Sequence, residues 1–214
     1  MGRGKVGAAI ALATSSRFGV GGSRYRTCSP ERQPVLTDSV PFWAMPREVF
    51  ERIGLFREEM LCHEDYEFSY RLRRAGGMIL LLPWLRSKYY VRSTLGGLAP
   101  QYWRYGVWKG RFLCSHPRSL AARHLVPPVF VAALLITLVA ALAGTAGQIS
   151  AGILLGTYLC FLAAASFSLA RAPRSRWPIC ALLPLVLATL HLCWGAGVWA
   201  GLLRGKVPGA PPQL

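Results

Sequence analysis

Two adjacent carboxylates, Glu64 and Asp65, stand at the start of a predicted helix that ends before Gly76. Glycine favours a helix end because it tolerates a positive φ. With about 100° of rotation per residue, Asp65 lies in line with the inward stripe of this helix. The other residues of that stripe are Phe68, Ser69, Leu72 and Ala75. An inward carboxylate is costly unless it is paired or takes part in chemistry, so Asp65 is the first candidate functional residue.

A simpler interpretation of the acidic pair stays open. Acidic residues are favoured in the first turn of a helix because they face the positive end of its dipole, which alone would explain Glu64 and Asp65. The outward face of the same helix is predicted to carry Glu67, Arg71 and Arg74. Glu67 and Arg71 stand four residues apart, which is the spacing of a favourable ion pair.

A second candidate site lies in the aromatic and basic segment from about residue 98 to residue 113. Read as a helix, it places these residues on one face: Gln101, Arg104, Tyr105, Trp108 and Phe112. In one interpretation the helix is amphipathic and lies in the headgroup plane just before the first membrane span. In the other, this face binds a sugar nucleotide, because an arginine can meet its diphosphate while an aromatic ring stacks on a sugar.

The elements that position these residues are predicted to alternate between strands and helices. Short strands are expected at residues 40–45, 78–82 and 89–93. A helix is expected over Arg47–Ile53, because Pro46 suits the first helical position. The alternation predicts an α/β fold, and the shortage of strands makes the segment look like half of a domain.

The first 34 residues divide into two parts. Residues 1–16 are predicted to form a helix of small residues, and a signal peptide is the alternative, because Arg3 and Lys5 precede a short apolar stretch. Residues 17–34 are glycine-rich and basic. A flexible connector is favoured there, with a phosphate-approaching loop as the alternative.

The stretch from residue 125 to residue 170 contains no Asp, Glu, Lys, Arg or His. A spanning helix needs roughly 20 apolar residues, so this stretch predicts two membrane spans. They are placed at about 125–143 and 149–170, with a tight turn at 144–148 between them.

A third apolar stretch covers about residues 179–203 and is interrupted by Pro184 and His191. Pro184 is expected to kink the helix, which membrane helices tolerate. His191 is either a functional residue or a histidine that is hydrogen-bonded to a neighbouring helix. A full third span would place Arg204 and Lys206 outside, against the preference of basic segments for the cytoplasm.

The chain is strongly basic, with 25 Lys and Arg against 9 Asp and Glu and a formal net charge of +16. Nucleic-acid binding is the usual interpretation of such a charge. Here the basic residues flank apolar spans, so the positive-inside rule and anionic headgroups explain them, and no nucleic-acid partner is predicted. The predicted cytoplasmic residues include Arg118, Arg123, Arg171, Arg174 and Arg176.

The six cysteines are predicted to be reduced and structural, with no zinc site, because no C-x-x-C pair occurs. They are Cys28, Cys62, Cys114, Cys160, Cys180 and Cys193. Residues 62–65 combine Cys, His, Glu and Asp, but neighbours that enter a helix point in different directions. No metal site is therefore predicted there.

Three sequence blocks carry a resemblance to a known family. They are REVF and IGLF within residues 47–56, ED and RLRRAG within residues 64–76, and QYWRYG at residues 101–106. Their order and spacing resemble the C-terminal half of a family 2 glycosyltransferase of the membrane-anchored, succinoglycan-biosynthesis type. The resemblance runs from about Ala8 to the first span.

The resemblance implies a GT-A nucleotide-sugar fold on the cytoplasmic face of the membrane. It implies that Asp65 is the catalytic base, with Glu64 beside it. The Gln-x-x-Arg-Trp motif of related processive synthases maps to Gln101 and Arg104, and Tyr105 replaces its tryptophan, which speaks against a processive mode. The predicted substrate-binding residues are Gln101, Arg104, Tyr105 and Trp108.

Members of that family bind the donor's base and its metal through an N-terminal half that ends in an Asp-x-Asp motif. This chain has only two aspartates, Asp38 and Asp65, and no such motif. Mg²⁺ or Mn²⁺ is expected for the intact family enzyme, without a ligand set in this chain. We therefore expect a fragment, a truncated reading frame or a remnant that has lost the chemistry.

The function implied is the inverting transfer of a sugar from a nucleotide-sugar donor to a lipid-linked or polysaccharide acceptor, in cell-surface polysaccharide biosynthesis at the inner membrane. The alternatives are a non-catalytic membrane protein or assembly partner derived from such an enzyme, and a basic membrane-surface protein that binds anionic lipid. The expected organisation is a partial GT-A domain at 1–97, an interfacial segment at 98–124, membrane helices at 125–203 and a tail at 204–214.

Overall fold

The computed structural model describes residues 2–27, 33–171 and 177–207 of the chain. These residues are mostly helical, with one small sheet. The helices are α1 Gly4–Thr14, α2 Arg17–Val20, α3 Arg24–Thr27, α4 Arg47–Ile53, α5 Glu64–Arg74, α6 Leu95–Ser115, α7 Ala122–Ala141, α8 Thr145–Ala170, α9 Trp177–Cys180 and α10 Leu183–Arg204. A short 3-10 turn, Pro117–Ser119, joins α6 to α7.

The predicted α/β alternation is not found among the described residues. The sheet consists of two antiparallel strands, β1 Val35–Leu36 and β2 Leu80–Leu81. Only the centre of the strand predicted at 78–82 is therefore paired, and the strands predicted at 40–45 and 89–93 are wrong. Those segments are extended at most, because an apolar run becomes a strand only where a neighbouring backbone completes its hydrogen bonds.

The two helices predicted around the acidic pair are confirmed. Helix α4 covers Arg47–Ile53 and is followed by Gly54 with a φ of 80°. Helix α5 begins at Glu64 as predicted and ends before Gly76, whose φ is 81°. Both glycines take the left-handed conformation that ends a helix at little steric cost.

The inward and outward faces of α5 were predicted only in part. Phe68, Ser69 and Leu72 are buried, as expected, whereas Ala75 at the end of the predicted stripe is exposed. Glu67, predicted to point outward, is fully buried, and this prediction is wrong. Its carboxylate accepts from Arg71 at 2.8 Å and lies 2.9 Å from the Nε atom of Arg57, so two cations offset its desolvation.

The N-terminal segment forms the predicted helix of small residues. Ala9, Ile10 and Ala13 of α1 are completely buried. They belong to a cluster that also contains side chains of α6, α8 and α10. The glycine-rich segment that follows was predicted to be a flexible connector, yet it contains the short helices α2 and α3.

Helices α7, α8 and α10 are each long and apolar enough to cross a membrane. Helices α7 and α8 form an antiparallel pair joined by a turn at Gly144, close to the predicted spans. The kink expected at Pro184 is wrong, because this proline lies in the first turn of α10, where its missing N–H costs nothing.

Helix α6 packs lengthwise against α10 through a row of glycines. Gly106 and Gly110 of α6 meet Gly197 and Gly201 of α10, and the two helices run in the same direction. A Cβ atom on Gly106 would lie 2.9 Å from the Cα atom of Gly197 and would collide with the carbonyl oxygen of Trp194. The predicted interfacial helix is therefore one member of a tightly packed helix pair.

Candidate functional site

Asp65 lies in the first turn of α5 and is half-buried. One of its carboxylate oxygens accepts a hydrogen bond from the backbone N–H of Tyr66 at 2.7 Å. Burial raises the pKa of the Asp65 carboxyl; that N–H opposes the shift, and the charge of Glu64 adds to it. A carboxylate with a raised pKa at a partly open site can act as a base towards a bound hydroxyl group.

Glu64, the other predicted catalytic residue, is exposed to solvent. Its carboxylate acts on the site through its charge, because it contributes to the raised pKa values of Asp65 and of the Cys62 thiol. The geometry therefore gives the two adjacent acids different surroundings. Asp65 is the one that is partly withdrawn from water.

His63 fixes the start of α5. It has a φ of 64°, and it is the one non-glycine residue with positive φ in the described ranges 2–27, 33–171 and 177–207. Its ring atom Nε2 lies 3.0 Å from the carbonyl oxygen of Tyr105 in α6. Burial lowers the pKa of His63 to about 4, so the ring is neutral at pH 7 and donates this hydrogen bond. Sequence reasoning considered His63 only as a metal ligand and missed this role.

The residues of α6 that were predicted to bind substrate differ in their exposure to solvent. Gln101 donates a hydrogen bond from Nε2 to the hydroxyl oxygen of Tyr105 at 2.9 Å, and both residues are half-buried. Arg104 is exposed. Trp108 is buried in a cluster with Met60, and its role in substrate binding stays a prediction.

Cys62 shows that the two predicted parts of the site lie together. The pKa of its thiol is raised to about 11, mainly by burial; among the smaller effects, the charge of Arg104 lowers it and the carboxylates of Glu64 and Asp65 raise it. The thiol is therefore an electrostatic neighbour of the acidic pair on α5 and of the arginine on α6. The fold brings Asp65, Glu64 and Arg104 to one region from separate stretches of sequence.

Arg26 is a further residue of this site that sequence reasoning missed. Its guanidinium lies 5.2 Å from the ring centre of Tyr89 and 5.5 Å from that of Tyr25, both within the range of a cation–π contact. Its charge also lowers the pKa of Asp65, against the larger effect of burial. The sequence feature that could have revealed Arg26 is the run of arginine and tyrosine at residues 24–26. It lies in the segment that was interpreted as a connector.

Lys109 is an unusual residue next to the site, because its side chain is only 3% exposed. Its ammonium group lies 3.6 Å from the centre of the Tyr66 ring. Burial, together with the smaller effect of the nearby Arg73, lowers the pKa of Lys109 to about 7. The ring contact offsets part of the desolvation of this cation.

A basic cleft of about 320 Å³ opens where the first span begins. Three arginines line it, namely Arg24, Arg73 and Arg123, and Arg123 forms an ion pair with Asp38. Neither Arg24 nor Arg73 pairs with a carboxylate in the part of the chain that the structure describes. The cleft therefore keeps a surplus of positive charge beside the second residue of α7.

A Mg²⁺ or Mn²⁺ site requires several oxygen ligands that converge on one point. Among the described residues, no group of three or more His, Cys, Asp and Glu side chains could hold a metal ion. The adjacent acids Glu64 and Asp65 differ in exposure and do not form such a set with other residues. The residues that the structure describes thus do not fit a Mg²⁺ or Mn²⁺ site by themselves.

A comparison with curated proteins finds the succinoglycan biosynthesis protein ExoA of Rhizobium meliloti (strain 1021). The identity is 28% over 202 residues, which is 91% of this chain and 56% of that protein. The chain thus spans about half the length of this relative. No family model and no solved structure matches. The aligned part includes both the acidic-pair region and apolar helices, and so extends beyond the predicted resemblance, which ran from about Ala8 to the first span.

Proposed function

We propose that this chain is the membrane-attached part of a glycosyltransferase of cell-surface polysaccharide biosynthesis. The observation that carries the proposal is the partly buried Asp65, whose carboxyl pKa is raised; the charge of Arg26 acts on Asp65, and that of Arg104 acts on the nearby Cys62. The similarity to succinoglycan biosynthesis protein ExoA supports the pathway class. A family 2 enzyme with a GT-A domain is the form of this proposal that the sequence blocks favour.

The proposed reaction is an inverting displacement on a nucleotide-sugar donor. Asp65 takes the proton from an acceptor hydroxyl as that oxygen forms a bond to the anomeric carbon, and the nucleoside diphosphate leaves with the electron pair of the broken C–O bond. A positioned general base contributes roughly 10²–10⁴-fold to the rate. Arg26 and Arg104 provide positive charge near the departing diphosphate. A divalent cation, supplied by other parts of the intact enzyme, would neutralise the same charge.

The basic cleft favours a lipid-linked molecule as the acceptor substrate. Arg24, Arg73 and Arg123 line a space of about 320 Å³ at the foot of the first span, where the phosphate group of a membrane lipid would lie. Guanidinium groups bind phosphate through two parallel N–H bonds. An acceptor held there by its phosphate would present its sugar from the membrane surface, with the protein on the cytoplasmic face of the inner membrane.

A substitution at Asp65 tests the catalytic role. In a full-length version of the enzyme, Asp65→Asn is expected to abolish sugar transfer, because the amide cannot accept the proton. Glu59→Gln is the matched control, since Glu59 is exposed and lies outside the site. Transfer is measured with radiolabelled nucleotide sugar and lipid-linked acceptor, and membrane insertion is checked for each variant. Near-normal transfer by Asp65→Asn would leave Asp65 as a helix-start charge only.

A non-catalytic role derived from such an enzyme is the second candidate. It is favoured by the lack of a metal-ligand set among the described residues. We expect the 214-residue chain alone to turn over little or no sugar nucleotide in detergent with Mg²⁺ or Mn²⁺. Robust turnover by this chain would contradict both the fragment interpretation and the non-catalytic role.

A further inference from the structure

Helix α10 presents one narrow apolar face to its surroundings. The exposed large apolar side chains of this helix are Leu185, Leu192, Trp199 and Leu203. They are spaced seven, seven and four residues apart, so they form a single stripe along the helix. The remaining faces are covered, with Leu183, Leu187 and Leu190 almost completely buried.

The middle of α10 is hydrogen-bonded to the N-terminal segment of the chain. The ring atom Nε2 of His191 lies 2.7 Å from the carbonyl oxygen of Phe18. Phe18 belongs to α2, which begins with the charged residue Arg17. If α10 crossed the bilayer, His191 would lie near its centre and would bring α2 to that depth. This hydrogen bond joins the middle of α10 to the N-terminal segment that carries the exposed Arg17.

The C-terminal end of α10 is attached to the same part of the molecule. Arg111 of α6 donates a hydrogen bond to the carbonyl oxygen of Lys206 at 3.1 Å, and the N–H of Val207 donates to the hydroxyl oxygen of Ser115 at 3.1 Å. The side chain of Val207 belongs to the same apolar cluster as Met60 and Trp108. Both the middle and the end of α10 are therefore bound to elements that carry charge.

Helix α6 accompanies α10 through the glycine contacts described above and carries three cations, Arg104, Lys109 and Arg111. A spanning α10 would draw these cations into the hydrocarbon layer. Each arginine or lysine at the centre of a bilayer costs roughly 2.5–3.5 kcal/mol on insertion scales. A helix pair that lies along the membrane surface avoids this cost.

The contacts of α10 with the α7–α8 pair lie in the half of the pair that is farther from the turn at Gly144. Trp199 donates to the carbonyl oxygen of Pro128 at 2.8 Å, and the ring of His191 hydrogen-bonds with the hydroxyl of Tyr158 at 3.1 Å. The turn at the other end is flanked by exposed apolar side chains, as expected for lipid contact. These are Leu135, Ile136, Leu138, Val139, Leu142, Ile149 and Ile153. Helix α10 thus packs against the half of the pair that contains the start of α7 and the end of α8.

We propose that α10 is not a third membrane crossing but a surface helix, which lies at the boundary between the headgroups and the acyl chains of the leaflet on the side of the extramembrane part. Its stripe of Leu185, Leu192 and Trp199 faces the lipid, continuous with the lipid-facing surface of the α7–α8 pair. The lipid of the bilayer covers this apolar stripe. Arg204 and Lys206 then stay on the same side as the start of α7, which removes their conflict with the positive-inside rule.

The depth of the stripe tests the proposal in the full chain reconstituted in lipid vesicles. Nitroxide labels are placed at Leu185, Leu192 and Trp199, one at a time in a background without native cysteines, and their depth is measured by collision with oxygen and with a water-soluble nickel complex. We expect three equal, shallow depths. A label at Ile136 of α7 is the control and should lie deep. A deep label at 192 between shallow labels at 185 and 199 would show a spanning helix and overturn the proposal.

The side of the C-terminal end gives a second, independent readout. Single cysteines at Thr145, Arg171 and Lys206 are labelled in intact cells with a reagent that cannot cross the membrane. We expect Lys206→Cys to behave like Arg171→Cys and unlike Thr145→Cys. Equal labelling at 145 and 206 would overturn the proposal. If the whole chain were inverted, all three positions would change sides, which would count against the glycosyltransferase proposal. Positions 171 and 206 would still lie on the same side, as the proposal for α10 requires.

Discussion

The ring of His63 and the backbone of Tyr105 are joined by a hydrogen bond of 3.0 Å that ties the acidic start of α5 to the middle of α6. His63 pays a conformational cost for this contact, because its φ of 64° lies in the left-handed region. The residue before Glu64 and Asp65 is therefore held by the helix that carries Gln101 and Arg104. This connection sets the distance between the two halves of the candidate site.

Substitutions at His63 separate the hydrogen bond from the backbone conformation. His63→Ala and His63→Gly both lose the contact with Tyr105 and are expected to lower the kcat of the full-length enzyme more than they change its KM. His63→Gly should be the more stable variant, because left-handed backbone costs a non-glycine residue about 1–2 kcal/mol. Thermal unfolding in detergent and transfer kinetics measure the two effects. Unchanged kcat in both variants would show that the contact does not position the acidic pair.

Glu67 is expected to be essential for stability because two cations depend on it. Its side chain is 1% exposed and contacts Arg57 and Arg71. Glu67→Gln should destabilise the fold by about 3 kcal/mol, since removal of one partner leaves buried charge uncompensated. Glu51→Gln, in the exposed pair with Arg47, is the control and should change the unfolding temperature little. Equal effects of the two variants would contradict the burial of Glu67.

The contact between α6 and α10 is expected to fail when a methyl group is added at its centre. Gly106→Ala would place a Cβ atom against the backbone of Trp194 and Gly197, whereas a Cβ atom at Gly96 of the same helix meets nothing within 4 Å. Gly96→Ala should be neutral or stabilising by up to about 1 kcal/mol, because alanine favours a helix. The melting temperatures of the two variants in detergent test this contrast. A tolerated Gly106→Ala would mean that the two helices are not in close contact.

The buried ammonium of Lys109 is expected to make stability depend on pH. Burial lowers its pKa to about 7 from 10.5, so between these values the unfolded chain binds more protons than the folded one. Stability should therefore rise as the pH increases from 7 to 9, with a slope that approaches about 1 kcal/mol per pH unit. Lys109→Met should flatten this dependence, whereas Lys88→Met, at an exposed position, should leave it unchanged. A fall in melting temperature over the same pH range would contradict the shift.

The basic cleft predicts a difference between two neighbouring arginines of α5. Arg73 lines the cleft and Arg74 does not. Arg73→Gln is expected to weaken the binding of a polyprenyl diphosphate to the chain in detergent several-fold, and Arg74→Gln to leave it unchanged. Inorganic diphosphate in the same assay tells a lipid site from a site for the free anion. Equal weakening by both variants would indicate general charge attraction and no defined site.

Local sequence was sufficient for much of the fold. The acidic pair, Gly76 and the spacing between them predicted α5 because capping and helix propensity act over a few residues. The uncharged run from residue 125 to residue 170 likewise predicted α7 and α8, because the requirement for apolar length in a bilayer is read directly from composition.

Only the tertiary structure decided which side chains are buried together. Helical periodicity predicted that Glu67 lies on the outward face of α5, because it considers the residues of a single helix only. The burial of Glu67 is possible because Arg57, from another segment, pairs with it. The same limit applies to Trp108, whose surroundings include Met60, and to Arg26, which approaches Asp65 from a segment with no regular pattern. Contacts between distant segments depend on the docking of whole elements, and no spacing within one element encodes them.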